Sequence, residues 1–204
     1  MVLKIGQNSL EVCKEIIRNC EKISNVYLIA HHVGNNWRQI NSTPEKQAKN
    51  LLNGLITEPP IKEQAYNRES FLKLELDDLE NLGENVVWSI TSKVKCFDGS
   101  TKHMPMINFH PEEGVKLPEI IEATKLITDN KSGFFLETGR YYHYYGNFLL
   151  DNKDWTKFLS RFLASCFLVS PRYIAHRIYD GYCTLRLTTD KKYKPKIPTL
   201  IKSI

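Results

Sequence analysis

The sequence predicts an α+β chain, an antiparallel sheet with helices packed on it behind an N-terminal helical lobe. Three observations predict it. A length of 204 residues, 42% hydrophobic and 25% charged, suffices for one compact core and is short for two large ones. From residue 86 onward the elements run strand, strand, helix, strand, strand, helix, strand, an order that places helices on an antiparallel sheet. No internal repeat, low-complexity tract or long linker interrupts the chain. One unit over residues 1–204 is the simplest organisation, with possible lobes at 1–84 and 85–190 and a basic tail at 191–204.

Each element follows from its local pattern. Ser9, an N-cap type, precedes Leu10, Cys13, Ile16, Ile17, Cys20 and Ile23 at helical spacing, which predicts a first amphipathic helix. Val26 to Ala30 is a short apolar strand. Thr43-Pro44-Glu45 supplies a cap, a first-position proline and an acid for the helix dipole, so a second helix is expected to about Ile56, closed by Pro59-Pro60. Leu72, Leu74 and Leu76 alternate with charges like a strand, and Asp77 to Leu82 reads as a helical turn ended by Gly83. Val86 to Phe97, the Asp98-Gly99-Ser100 turn and Lys102 to His110 form a hairpin. Pro118 opens a helix broken by Asp129 to Gly133. Phe134 to Glu137 and Tyr141 to Leu150 are strands joined at Gly139. Asp151 or Asn152 caps a helix bearing Trp155, Phe158, Leu159 and Phe162. Pro171 starts another, Gly181 ends it, and Tyr182 to Thr188 is a final strand.

Composition excludes disordered, collagenous and fibrous classes. A membrane helix needs about 20 consecutive apolar residues, and the longest apolar patch, Phe162 to Val169, contains Ser165 and follows Arg161. Met1 to Gln7 lacks the pattern of a secretory leader, so a cytoplasmic protein without membrane contact is expected. Cys13, Cys20, Cys96, Cys166 and Cys183 are odd in number and contain no CxxC pair, which reads as buried thiols. The net charge of +5 is unevenly spread: from Pro171 to Ile204, eight basic residues face Asp180 and Asp190, a net of +6 that leaves the remainder at about −1. An anionic partner is expected near that end, with Arg172, Arg177, Lys191, Lys192 and Lys194 as candidates for a nucleic-acid backbone.

The densest chemical feature is Phe134 to Tyr145, in which six of twelve residues are aromatic. Strand alternation puts Tyr141, His143 and Tyr145 on one face and Tyr142 and Tyr144 on the other. An imidazole among phenols beside Arg140 suits phosphate oxygens and stacked bases, whereas aromatic cross-strand packing alone is the competing reading. His31-His32 points its rings to opposite faces and so makes a poor shared ligand pair. His176, one helical turn from Arg172 and beside Arg177, reads as part of an exposed basic face.

The segment Ser132-Gly133-Phe134-Phe135-Leu136-Glu137-Thr138-Gly139-Arg140-Tyr141-Tyr142-His143-Tyr144-Tyr145 resembles the second motif of the archaeo-eukaryotic primase and primase-polymerase superfamily. There a small-residue turn leads to a histidine that contacts the incoming nucleotide's phosphates. Ile178-Tyr179-Asp180-Gly181-Tyr182-Cys183-Thr184-Leu185-Arg186-Leu187-Thr188 is similar to its third motif, a carboxylate followed by a strand carrying an arginine. The resemblance covers about residues 86–190 and implies an RRM-like primase palm, with Arg140, Tyr141, His143 and Arg186 binding nucleotide or phosphate. It also implies a first motif of two acids, separated by one residue, that hold divalent metals. Asn108 and His110 stand in those places. Mg²⁺ prefers hard anionic oxygens, so the metal positions read as degenerate, with Glu112, Glu113 and Asp180 the remaining candidate ligands.

The expected function is a degenerate primase-like protein that binds nucleic acid or nucleotide. No cofactor is expected, catalytic residues are absent, and the protein would act as a subunit of a larger nucleic-acid-processing or defence assembly with protein partners. Two alternatives are an active nucleotidyltransferase using Mg²⁺ or Mn²⁺, and a protein-interaction subunit that binds no nucleic acid.

Overall fold

Asn8, rather than Ser9, caps the first helix: in the computed structural model its side chain accepts from the Glu11 amide at 3.0 Å. The structure describes residues 3–33, 60–190 and 192–204, together with Glu45 and Lys49. Helix α1 (Ser9–Asn19) buries Leu10, Val12, Cys13, Ile16 and Ile17, the apolar stripe that helical spacing dictates. Strand β1 (Ile23–His32) outruns the expected Val26–Ala30 at both ends. The helix expected from Thr43 to Ile56 lies outside the described residues, apart from Glu45 and Lys49.

The next segment corrects the reading of alternating leucines as a strand. β2 (Lys62–Asn67) is a polar edge strand on β1, and its charges suit an edge while hiding its signature. Asn67 then accepts from the Ser70 amide at 2.8 Å and starts α2 (Arg68–Lys73). Phe71 on α2 is fully buried with its ring edge-on to Tyr66. A 3₁₀ turn (Leu76–Asp78) follows. Burial of Phe71, four residues past the Asn67 cap, outweighs the two-residue spacing of Leu72, Leu74 and Leu76.

β3 (Val86–Cys96) and β4 (Thr101–His103) form the expected hairpin, but the second arm does not run on to His110. Pro105 cannot donate to a ladder. At buried Met104-Pro105 the chain leaves the first sheet and enters the second as β5 (Met106–Phe109). Then come α3 (Leu117–Ile127), β6 (Gly133–Glu137), β7 (Tyr142–Gly146), α4 (Asn152–Ala164) capped by Asp151, α5 (Pro171–Asp180), β8 (Thr184–Arg186) and β9 (Thr199–Ser203). Gly181 ends α5 with φ of +74°, a left-handed cap that favours glycine. A side chain on Gly133 would collide with the buried Tyr144 ring, so that position must stay bare.

The fold is α+β with antiparallel pairing throughout, as expected, but it has two sheets where one was expected. The first has the order β2-β1-β3-β4, and β8 also pairs with β3, opposite residues 89–91, beside the stretch 93–95 that holds β4. The second has the order β5-β7-β6-β9. In the expected tail of 191–204, the described residues 192–204 do not hang free, since β9 pairs with β6 and buries Leu200. β1 pairs with β3 from Ile23↔Cys96 to His32↔Val86, so residues before 84 are hydrogen-bonded into the first sheet. One continuous core joins Leu28, Ile90 and Val94 of the first sheet to Ile107, Phe135 and Tyr145 of the second. Among the described residues no helix is long and apolar enough to cross a membrane.

Candidate functional site

β5, though it has left the first sheet, stays in contact with β8, and between the sheets opens a cleft of about 200 Å³. The first sheet contributes His31, Val87, Ser89, Thr184 and Arg186. From the second sheet and the turns around it come Asn108, His110, Thr138, Tyr141 and His143, while α5 adds Tyr173 and Arg177. The segment between β8 and β9 adds Lys194. Among the described residues that line the cleft there is no aspartate or glutamate.

Asn108 and His110 are two residues apart and both reach the cleft, as alternation requires. The His110 ring lies 4.3 Å from that of Tyr141. Asn108 stands opposite His143 in the β5–β7 register. His143 is 4% exposed and its Nδ1 is buried without a hydrogen-bond partner. Burial, then Arg186, Lys194 and His110, holds its pKa well below the ordinary histidine value. His31 is lowered to about 4 by burial and by Arg177 and His32. Both rings are therefore neutral at pH 7.

Arg186 is the electrostatic centre of the cleft. Its guanidinium donates to the carbonyls of Thr188 and Lys196 through Nη1 and to that of Thr138 at 2.8 Å through Nη2. The Thr138 carbonyl belongs to the turn after β6, so this side chain ties the two sheets together. Burial lowers its pKa to about 10, which leaves it charged at neutral pH. No carboxylate among the described residues forms a salt bridge with it; Asp180 pairs with Arg177 at 2.9 Å and Glu137 with Lys196.

The other expected site residues divide. Arg140 is exposed outside the cleft, its guanidinium 5.1 Å from the Tyr141 ring centroid. Arg177 and Lys194 line the cleft, and Arg177 also donates to Thr184 Oγ1 at 2.8 Å. Arg172 is half-buried on α5 and Lys192 is exposed beside the Tyr193 ring; both lie outside the lining. Lys191 is outside the described residues. Asp180 is half-buried and off the lining. No group of three or more His, Cys, Asp or Glu among the described residues is placed to hold a metal ion.

Two expectations are corrected here. His176 is buried, not part of an exposed basic face, because α5 turns it inward with Ile174. Cys166 is exposed, unlike buried Cys13, Cys96 and Cys183. Sequence reasoning also missed His31, Ser89, Thr138 and Tyr173 as lining residues. For His31 the signal was present: β1 alternation exposes His32 and turns His31 to the cleft. The other three had none, since they approach the cleft only through the meeting of the sheets.

No curated protein and no solved structure matches the chain. A family model described as AEP-like, archaeo-eukaryotic primase 1D-like, matches residues 69–199. That span runs from α2 to the first residue of β9 and holds every cleft-lining residue except His31 and Val33. Cleft and match thus coincide, and the chain belongs to the archaeo-eukaryotic primase 1D-like family.

Proposed function

We propose that this protein binds the phosphates of a nucleotide or nucleic acid in the cleft between its sheets without catalysing nucleotide transfer, as a cytoplasmic component of a larger nucleic-acid-processing or defence assembly. One observation carries the reading. Among its described residues the cleft gathers Arg177, Arg186 and Lys194 with three imidazoles and no carboxylate. Cationic and N–H donors of this kind satisfy phosphate oxygens with charge-assisted hydrogen bonds. The same lining does not fit the divalent metals that primase chemistry uses: an Asn108 amide and a His110 imidazole bring no negative charge, and hard dications need anionic oxygens. Exposed Leu163, Phe167, Ile178 and Tyr179, on α4, the turn after it and α5, support the assembly part of the reading.

Anisotropy of labelled nucleotide and labelled oligonucleotide tests it, alongside a primer-synthesis assay with Mg²⁺ and Mn²⁺. Expected are binding that weakens steeply with salt and no incorporation. Incorporation would overturn the non-catalytic reading, and absence of binding to every phosphate probe would remove the cleft as a phosphate site.

A further inference from the structure

We propose that the cleft takes a terminal phosphate group stripped of its divalent metal, the basic wall neutralising the charge that a metal would otherwise neutralise, so that Mg²⁺ opposes binding. This rests on the reading of the cleft as a phosphate site and assigns the form in which the phosphate arrives.

Arg186 is the first support. It is 7% exposed, three backbone carbonyls hold it in place, and no salt bridge to a carboxylate is formed among the described residues. Three carbonyl oxygens take part of its five N–H donors but bring no negative charge, and an uncompensated buried charge is costly. A bound anion supplies the missing charge. His143, on the second sheet's side of the cleft, is the second: nearly fully buried, it leaves Nδ1 without a partner. Third, the acids near the wall in sequence are already engaged, Asp180 with Arg177, Glu137 with Lys196, and Asp190 with the Asn85 and Tyr193 amides. A phosphate carrying Mg²⁺ has lost two of the negative charges that Arg186 and Lys194 attract, and it presents the metal to a lining with no carboxylate among its described residues to receive it. The same phosphate without the metal brings its full charge to the wall.

Size narrows the ligand further. About 200 Å³ is below the roughly 300–1,000 Å³ of pockets that enclose a drug-sized molecule. Phosphate oxygens sit inside, and sugar and base stay outside. The base is therefore not read in this cleft, and a free nucleotide and a phosphorylated strand end present the same group to it.

The test is calorimetric titration of the intact chain with sodium triphosphate at constant ionic strength, once in EDTA and once in excess MgCl₂. At least tenfold weaker binding in Mg²⁺ is expected. Equal or tighter binding in Mg²⁺ overturns the proposal while leaving the cleft a phosphate site, whereas no binding in either buffer removes both. Asn108→Asp combined with His110→Asp, with the fold checked by circular dichroism, should reverse the sign of the Mg²⁺ effect. If that variant misfolds, Lys194→Gln serves: fivefold or more weaker binding in EDTA with Mg²⁺ still inhibitory is expected, and unchanged affinity counts against the wall. Competition then names the source. Displacement of triphosphate by ATP or by a 5′-phosphorylated oligonucleotide supports the proposal, and equal displacement by a 5′-hydroxyl oligonucleotide overturns it.

Discussion

Arg186 shows how one side chain serves both the fold and the site. Its Nη groups donate to carbonyls on either side of the sheet junction, so truncation removes three charge-assisted hydrogen bonds to partly buried acceptors as well as a charge. Hydrogen bonds to charged groups contribute about 1.5–3 kcal/mol each, and stranded partners cost comparably. Arg186→Ala should therefore lower unfolding free energy by about 3 kcal/mol or more in urea denaturation. A loss below about 1 kcal/mol would show that the clamp contributes little. Arg186 pairs with neither Glu137 nor Asp180, the acids that could have neutralised it; both have other partners, and carbonyls clamp it instead. A sequence shows an arginine on a strand; whether its partner is an acid, a carbonyl or a ligand depends on residues 10 and 48 positions away.

Among elements, the segment joining β8 to β9 decides where the basic end of the chain goes. Asp190 and Lys194 exchange both backbone hydrogen bonds, at 3.0 and 3.1 Å. The Asp190 carboxylate also accepts from the Asn85 amide at 3.1 Å and from the Tyr193 amide at 2.6 Å. This closed turn is anchored to the start of β3 and delivers Lys194 to the cleft. Asp190→Ala should cost about 1–2 kcal/mol from the lost hydrogen bonds and weaken triphosphate binding several-fold by releasing Lys194. Electrostatics alone predicts the opposite, since removing an acid favours an anion. Tighter binding by the variant would therefore refute a positioning role for the turn. The lysine run was legible in the sequence as charge, but its confinement was not, because a turn closed by a carboxylate and an amide 105 residues apart leaves no local pattern.

For the molecule as a whole, buried imidazoles set the response to acid. His31 and His103 are held at about 4, and His143 and His176 are also lowered, in every case first by burial. A folded-state pKa below the unfolded value of about 6.5 means that the unfolded chain takes up protons first as pH falls. Stability is thus fully present above pH 6.5 and is lost as pH falls toward 4. His103, stacked on Trp155 and bonded to Ser92 and Asn152, alone should account for about 2 kcal/mol at pH 5. Melting temperature should drop steeply between pH 6.5 and 4.5, and His103→Gln should flatten the slope. An equal slope in that variant would show that His103 is not among the groups responsible.

Local pattern determined much of this protein. Capping residues, proline at helix starts, glycine at Gly181 and β-branched or aromatic runs are short-range signals, and they located α1, β3, β6, β7, α4 and α5. Alternation alone put Tyr141 and His143 on one face, and residue type alone marked Asn108 and His110 as neutral. Tertiary structure decided the rest. That Lys102 to His110 divides between two sheets depends on what each half can pair with: β3 takes the first half and β7 the second. β2 and β9 carry polar or basic edge sequences whose strand character exists only against β1 and β6. The cleft itself arises where the two sheets meet, so His31, Lys194 and Arg186 become neighbours of one space through long-range packing that no local periodicity encodes.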